Sequence, residues 1–368
     1  MSGRIFLSPP WTAEEERSLV EEAFDSGYVA PCGPFVDRFE RELEALSARR
    51  YAVAVSSGTA ALDLLADCLS IGPRTTVIAP SLTFIATVGP SFHRGAQLAF
   101  VDSCATGNVD MQLLEEALAS TPGEKVFIGV DLYGRPLDYA AAATLCDRYG
   151  AKFVSDSAEA VGAAFCGAPA GSGGIAGVYS FNGNKIVTTS GGGAVVTDSA
   201  EIAARVRKLS TQSRENVLWY EHREAGYNYR MSNILAAIGL AQLSKLTRIL
   251  AVRRENRERY ESVFAGLPGA FLPGVAGENN WLTVRLLDSS EERDGLIAAL
   301  EAADVETRPV WKPLHLQPVF AGVRMFGGGV CEDLFRRGVC LPSGTGMSDS
   351  DFSRIEKAVR RFYDNRRT

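Results

Sequence analysis

The chain has 368 residues, 46% hydrophobic and 22% charged, and its 38 Lys and Arg against 44 Asp and Glu leave a net charge of −6. That mix excludes a disordered or fibrous chain, gives length for about two domains, and lacks the cationic excess of a nucleic-acid binder. Glycine, at 36 residues, exceeds ordinary usage and directs attention to places where backbone bends or approaches a ligand closely.

Thr12 followed by Glu15 reads as a capping box, predicting a helix over 13–25, with a second amphipathic helix over 35–48. Tyr51 to Ser57 is a buried-strand pattern, and Gly58-Thr59 opens a helix through Ala66. Apolar strands follow over 76–79, 98–102, 126–131 and 152–156, with helical stretches over 111–119 and 139–149 between some of them. This alternation argues for an α/β fold with a mostly parallel sheet. A glycine-dense segment over 171–193 precedes a strand over 194–197 and a helix over 201–209. A long helical spine over 232–264 then leads to strands over 281–287 and 305–310, a helix over 291–303 and a terminal helix from Asp349. The expected division is a large domain over 1–250 and a small α+β domain over 251–368.

No apolar run reaches the ~18 residues of a membrane span. The opening MSGRIFLSPPWTAEEE lacks a stretch of secretory length, so a cytoplasmic location is expected. The seven cysteines form no C-x-x-C pair, and most read as buried, reduced small hydrophobes. His93, His222 and His315 show no ligand-like spacing, so no metal site is expected.

The chemistry concentrates at Lys185, in Ser180-Phe-Asn-Gly-Asn-Lys185 between two glycine clusters. A lysine amine can form a Schiff base with a carbonyl, pyridoxal phosphate being the common partner, although a surface-loop lysine stays open. Asp156 ends a strand, where open α/β sheets bind ligands, and an acid there could pair with a pyridine nitrogen. Ser57-Gly58-Thr59 lies at a strand-to-helix junction suited to a phosphate, and Ser180 could add a hydroxyl. Phe84 could cover a flat ring or be core. The segment GSGGIAG only loosely imitates a dinucleotide fingerprint, and neither a P-loop nor G-x-S-x-G occurs.

Taken together, SSGTAAL, PSLTFIAT, SDSAEAVGA, SFNGNKIVTTSGGG, GYNYRMSNILAAIGLAQ and RPVWKPLHLQP resemble the nucleotide-sugar aminotransferases of the DegT/DnrJ/EryC1/StrS family, over nearly the whole chain. The resemblance implies the fold-type-I architecture of pyridoxal-phosphate enzymes, with a seven-stranded, mostly parallel sheet. Lys185 would be the Schiff-base lysine and proton shuttle, Asp156 the partner of the pyridine nitrogen, and Phe84 the stacking ring. Glu159 would lie near the ring's 3-hydroxyl, and Gly58, Thr59 and Ser180 would hold the phosphate. Asn228 would reach the phosphate in a neighbouring subunit, making the enzyme a homodimer with shared sites.

The versions SFNGNK, WKPLHLQP and GYNYRMSN are similar to the branch acting on UDP-4-keto-6-deoxy-N-acetylhexosamines in bacillosamine-type pathways, with L-glutamate as donor. Arg230, Trp311 and His315 are then candidates for the substrate side. A structural ion pair, domain packing and a satisfied structural histidine are their respective alternatives. A GDP- or dTDP-linked acceptor, or a regulatory protein of the same fold without turnover, are the rival functions. Two features qualify the match. The family often carries Glu-Asp-Ala-Ala where this chain has Ser155-Asp156-Ser157-Ala158, and the serines are expected to alter polarity beside the ring. Related dehydratases replace the lysine with histidine, so Lys185 points to transamination.

Overall fold

The computed structural model describes residues 3–367. Its centre is an eight-stranded sheet, in the spatial order Tyr51–Val55, Gly193–Thr197, Ala176–Ser180, Ala151–Asp156, Glu124–Val130, Thr75–Pro80, Gln97–Val101 and Arg324–Phe326. Gly193–Thr197 runs antiparallel to both its neighbours, and every other pairing is parallel. The strands read as apolar runs because both faces are covered. Ala52 and Ala54 join one core cluster, which includes Phe39, Leu43 and Phe181. Val53 and Val55 join another on the opposite face, with Leu64, Val77 and Val154.

The expected seven strands are thus corrected to eight. The extra strand, Arg324–Phe326, comes from the C-terminal third and pairs in parallel with Gln97–Val101. Three residues carry no usable periodicity, and their pairing depends on contacts more than two hundred residues away. A separate antiparallel sheet holds Ala270–Phe271, Thr283–Leu286, Gly338–Leu341 and Arg308–Pro309. The expected strand over 305–310 therefore shrinks to two residues, while Val305 instead bridges Ile5. Helices Ser290–Ala302 and Asp349–Arg367 pack near this sheet over their own core, which includes Leu296, Leu300, Ile355 and Val359.

Two helix expectations shift. The first helix is Glu14–Asp25, with Ala13 at its N-cap. Glu16, not Glu15, reaches back to accept from the Ala13 N–H at 2.8 Å. The spine is two helices, Asn233–Ser244 and Leu246–Val263, meeting at a 62° bend. Lys245 leaves helical geometry at the break, and its ammonium pairs with Glu15 and Glu16 of the first helix. Among the described residues no single helix is long and apolar enough to cross a membrane. Of the seven cysteines only Cys146, Cys331 and Cys340 are buried; Cys32 and Cys166 are exposed, since they fall in loops.

Candidate active site

Parallel strands deliver their carboxyl ends to one edge of the large sheet, and the residues that follow them converge there. A cavity of about 320 Å³ opens at this edge. Gly58, Thr59, Phe84, Asp156, Glu159, Ser180, Lys185 and Trp311 all line it.

Ser57 caps the helix Gly58–Cys68, its hydroxyl accepting from the Ala60 N–H at 2.9 Å. The Gly58 and Thr59 N–H groups, in the first turn, have no intrahelical acceptor and face the cavity end of the helix, where the dipole favours an anion. This helix start is pressed against neighbouring backbone. A Cβ on Gly58 would stand 3.0 Å from that of Ser180, and one on Gly193 would fall 2.4 Å from the Ser57 carbonyl carbon. Glycine is needed at both for close approach, and the Ser180 hydroxyl is thereby brought beside the helix terminus.

Asp156 is buried at the end of its strand. Its Oδ2 accepts from Thr87 Oγ1 at 2.8 Å and its Oδ1 from the Ala158 N–H at 3.3 Å. Thr87 is itself held by Thr83 at 2.8 Å. Burial pushes the Asp156 carboxyl above its usual range, while Thr87, Ala158 and the charge of Lys185 pull it back. No cation is hydrogen-bonded to this carboxylate among the described residues, so a protonated ring nitrogen would complete it.

Lys185 Nζ lies 3.4 Å from Glu159 Oε1 and 4.1 Å from the centre of the Trp281 ring. Glu159 is buried too. Desolvation raises its pKa, and Lys185 is the strongest opposing influence. Its other oxygen, Oε2, accepts from the Tyr133 N–H at 2.7 Å. Tyr133 adopts a left-handed backbone with φ of 54°. Its hydroxyl accepts from the Trp311 N–H at 3.1 Å, so one strained residue fixes both Glu159 and Trp311. Across the cavity Phe84 keeps 55% of its surface exposed and tilts against Trp311 at 5.6 Å. An anion-binding helix start, a buried acid, an amine and an open aromatic face together fit pyridoxal phosphate.

Three expected residues stand elsewhere. Arg230 forms an ion pair: its guanidinium is buried against Glu40 at 2.8 Å and the Ala54 carbonyl at 3.1 Å, and it does not line the cavity. The acid that claims it lies 190 residues earlier in the chain. His315 is likewise engaged away from the cavity, with Nδ1 at 2.7 Å from Ser81 Oγ and Nε2 at 3.1 Å from Glu332. Asn228 bridges Thr211 through backbone, outside its own subunit's cavity. The serines flanking Asp156 also turn away from the cavity. Ser155 donates to the Gly173 carbonyl and Ser157 to buried Asp131, so neither alters polarity on the ring side.

Sequence reasoning missed Thr87, Tyr133, Asn279 and Trp281. Thr87 had a signal, standing three residues after Phe84 on one short helical turn. Asn279 had none. Its amide donates to the Glu159 and Val161 carbonyls, and its Oδ1 accepts from the Trp281 N–H at 2.9 Å, tying the acid to the ring under Lys185.

A model of the DegT/DnrJ/EryC1/StrS aminotransferase family matches residues 10–360. The chain belongs to this family. It is 39% identical to EpsN of Bacillus subtilis, assigned as a pyridoxal phosphate-dependent aminotransferase, over 96% of this chain and 95% of that protein. It is 35% identical to a GDP-perosamine synthase of Caulobacter vibrioides, over 97% of each. The solved structure of Spr1654 from Streptococcus pneumoniae, assigned as a sugar aminotransferase and in its pyridoxal-phosphate form, superposes with a TM-score of 0.91 at 28% identity, over 98% of this chain and 99% of that one. The family member described here is thus a pyridoxal-phosphate-dependent sugar transaminase of fold type I. The cavity around Lys185 has the groups that would hold such a cofactor.

Proposed function

We propose that the enzyme moves the amino group of L-glutamate to the C4 ketone of a UDP-linked 4-keto-6-deoxy-N-acetylhexosamine, giving UDP-4-amino-4,6-dideoxy-N-acetylglucosamine. The observation that carries the transfer is the placement of Lys185 between Glu159 and Trp281, opposite the buried Asp156. Pyridoxal phosphate, when bound, supplies a ring that withdraws electrons from the reacting carbon. The protein does the rest. Asp156 offers a negative charge to the ring nitrogen, and the first turn of Gly58–Cys68 with Ser180 holds the phosphate. Phe84 covers one face. Lys185 takes and returns a proton at its Nζ in both halves of the reaction, and Glu159 sits within reach of that amine.

The UDP-linked acceptor is supported by the SFNGNK, GYNYRMSN and WKPLHLQP versions of the motifs. A GDP-linked 4-keto-6-deoxy sugar is a second reading, favoured by the similarity to GDP-perosamine synthases. Asn228 and the exposed segment around it support a homodimer in which each subunit completes the other's phosphate site. We retain residues 1–250 as the cofactor domain and 251–368 as the small domain.

The test offers UDP-, GDP- and dTDP-linked 4-keto-6-deoxy sugars side by side with glutamate, following 2-oxoglutarate and the aminated sugar by mass spectrometry. Faster amination of the UDP-linked sugar is expected. A preference for the GDP-linked sugar would replace the first reading with the second.

A further inference from the structure

The helix Leu246–Val263 is crowded with Arg and Glu, a composition that suits a solvated surface, yet Arg253, Asn256 and Tyr260 on it are buried. Their spacing, i, i+3 and i+7, sets them in line along one face. The Asn256 amide donates to the Gly344 carbonyl at 3.0 Å, and the Tyr260 hydroxyl donates to the Pro342 carbonyl at 2.7 Å. The loop so held receives the N-terminal segment, the Ser343 N–H donating to the Leu7 carbonyl at 2.8 Å.

Arg253 is the costly member of the three. It is 2% exposed, burial pushes its pKa down, and no carboxylate pairs with it among the described residues. A buried charge without a counter-charge is tolerated only where hydrogen bonds occupy its donors. Nη1 donates to the Trp281 carbonyl at 2.9 Å, Nη2 to Ser8 Oγ at 3.2 Å and Nε to Thr345 Oγ1 at 3.3 Å. Two of these partners converge again. The Ser8 hydroxyl donates to the Asn184 carbonyl at 2.8 Å, and the Trp281 indole N–H donates to the same oxygen at 2.7 Å. Arg253, Ser8, Asn184 and Trp281 thus close a ring.

Asn184 immediately precedes Lys185, and its carbonyl shares one planar peptide group with the Lys185 N–H. That N–H donates to the Asn182 carbonyl at 3.0 Å, so hydrogen bonds on both edges set the plane from which the lysine side chain departs. The indole that holds this plane also lies under the amine, its ring centre 4.1 Å from Nζ.

We propose that Arg253 is a positioning residue for Lys185. Through Ser8 and Trp281 it fixes the Asn184 carbonyl, and with it the placement of the lysine amine against the reacting carbon. The proposal rests on Lys185 as the proton carrier of the transfer. It adds a group outside the cavity lining on which that placement depends.

Cofactor-loaded Arg253→Met, Ser8→Ala and Ser8→Thr, compared with the parent, test it. Arg253→Met should lower kcat about ten- to a hundredfold, the range for misplacing a reacting group, while the KM values change less. Ser8→Ala removes one donor to the Asn184 carbonyl and should lower kcat about three- to tenfold, with Ser8→Thr restoring most of it. In Arg253→Met and Ser8→Ala the pH midpoint of the bound cofactor's absorbance should move by about half a pH unit or more, about threefold in proton affinity. Hydrogen exchange should quicken in the segment bearing Lys185 and keep the parent's rate in the strand Glu124–Val130. A purely structural Arg253 would lower the melting temperature and leave the midpoint alone. Unchanged kcat and midpoint in Ser8→Ala overturn the proposal, and that variant with its Ser8→Thr rescue decides it if Arg253→Met does not fold. Lys185→Ala separates the two readings. Normal turnover in Lys185→Ala removes the proton carrier itself, whereas an inactive Lys185→Ala beside unaltered Ser8→Ala removes only the positioning.

Discussion

Asp156 and Glu159 are each 5% exposed, while Leu218, Trp219 and Tyr220 are 99%, 62% and 79% exposed. Both groups belong to segments with firm footings. Around the cofactor cavity the chain answers its own polar atoms: Thr87 and Ala158 serve Asp156, while Tyr133 and Lys185 serve Glu159. The arm over 211–229 is anchored as carefully at its base. Arg205 holds Asp67 and Glu224, Lys208 holds Glu215, and Arg94 reaches the Tyr227 hydroxyl at 3.1 Å. Its tip nevertheless carries apolar rings into water, and the Asn228 side chain makes no hydrogen bond among the described residues. A rigid base with an apolar tip describes a surface made for another molecule. The cavity is built by one chain, and in the homodimer proposed above the arm is the part that would meet the second copy.

The largest effect belongs to the cavity. Lys185→Ala should lower amine transfer by about three orders of magnitude or more, the upper range for losing a positioned proton carrier. Stopped mixing with glutamate, followed by cofactor absorbance, checks it. Turnover near the parent's would break the assignment of the cavity as the reacting centre.

The arm comes next. Replacing Leu218 and Trp219 together by serine removes surface that contacts nothing in its own subunit's core, so the fold should survive. If the proposed homodimer holds, light scattering should then report monomers, and activity should fall by about ten- to a hundredfold with the loss of the Asn228 contribution across the interface. Full activity in a monomer would show each cavity to be self-sufficient and erase the contrast drawn above.

Within the cavity, Thr87→Val tests how much of Asp156's charge depends on one hydroxyl. Without that donor the Asp156 carboxyl should rise further, since Thr87 is the strongest influence lowering it. About a tenfold loss in cofactor affinity or turnover is expected, with Thr87→Ser restoring most of it. A visible shift in the cofactor's absorbance pH profile would separate this from simple loss of packing.

How much of this was legible in the sequence follows from distance along the chain. Strands such as Tyr51–Val55 and Ala151–Asp156 announce themselves because burial on both faces demands continuous apolar residues. Lys185, Asp156 and Gly58 were legible because each sits at a strand end or in a glycine-marked turn, a local feature. The ion pair of Arg230 was not legible because its charge is visible in sequence and its partner Glu40 is not. Trp281 and Asn279 were invisible for the same reason: their importance arises only when the loop leading into Thr283–Leu286 returns to Glu159 and Lys185. The Ser155 and Ser157 departures could be seen but not oriented, since alternation along a strand end does not say which face meets the ligand.

Ser157 leads to an effect on stability and not on turnover, in the layer behind the cavity. Asp131 is fully buried and accepts from Ser157, Tyr139 and the Leu137 N–H. Desolvation outweighs those three donors, and its pKa is pushed up from 3.8 to about 7, with Asp156 nearby adding to the rise. In an unfolded chain the same group titrates near its ordinary value. Between 3.8 and about 7 the folded protein therefore holds a proton that the unfolded chain has released. The stability this confers is fully present below the ordinary pKa and is lost as pH rises through the folded one. Relative to Asp131→Asn, the parent should lose up to about 1.4 kcal/mol of stability per pH unit across that window. Urea unfolding of both proteins at a series of pH values measures the difference directly, and subtraction removes the contribution of every other carboxylate. Parallel curves would mean that Asp131 keeps its charge when folded. The three donors would then outweigh burial, and the layer behind Asp156 would be anionic, adding to the charge presented to the ring nitrogen.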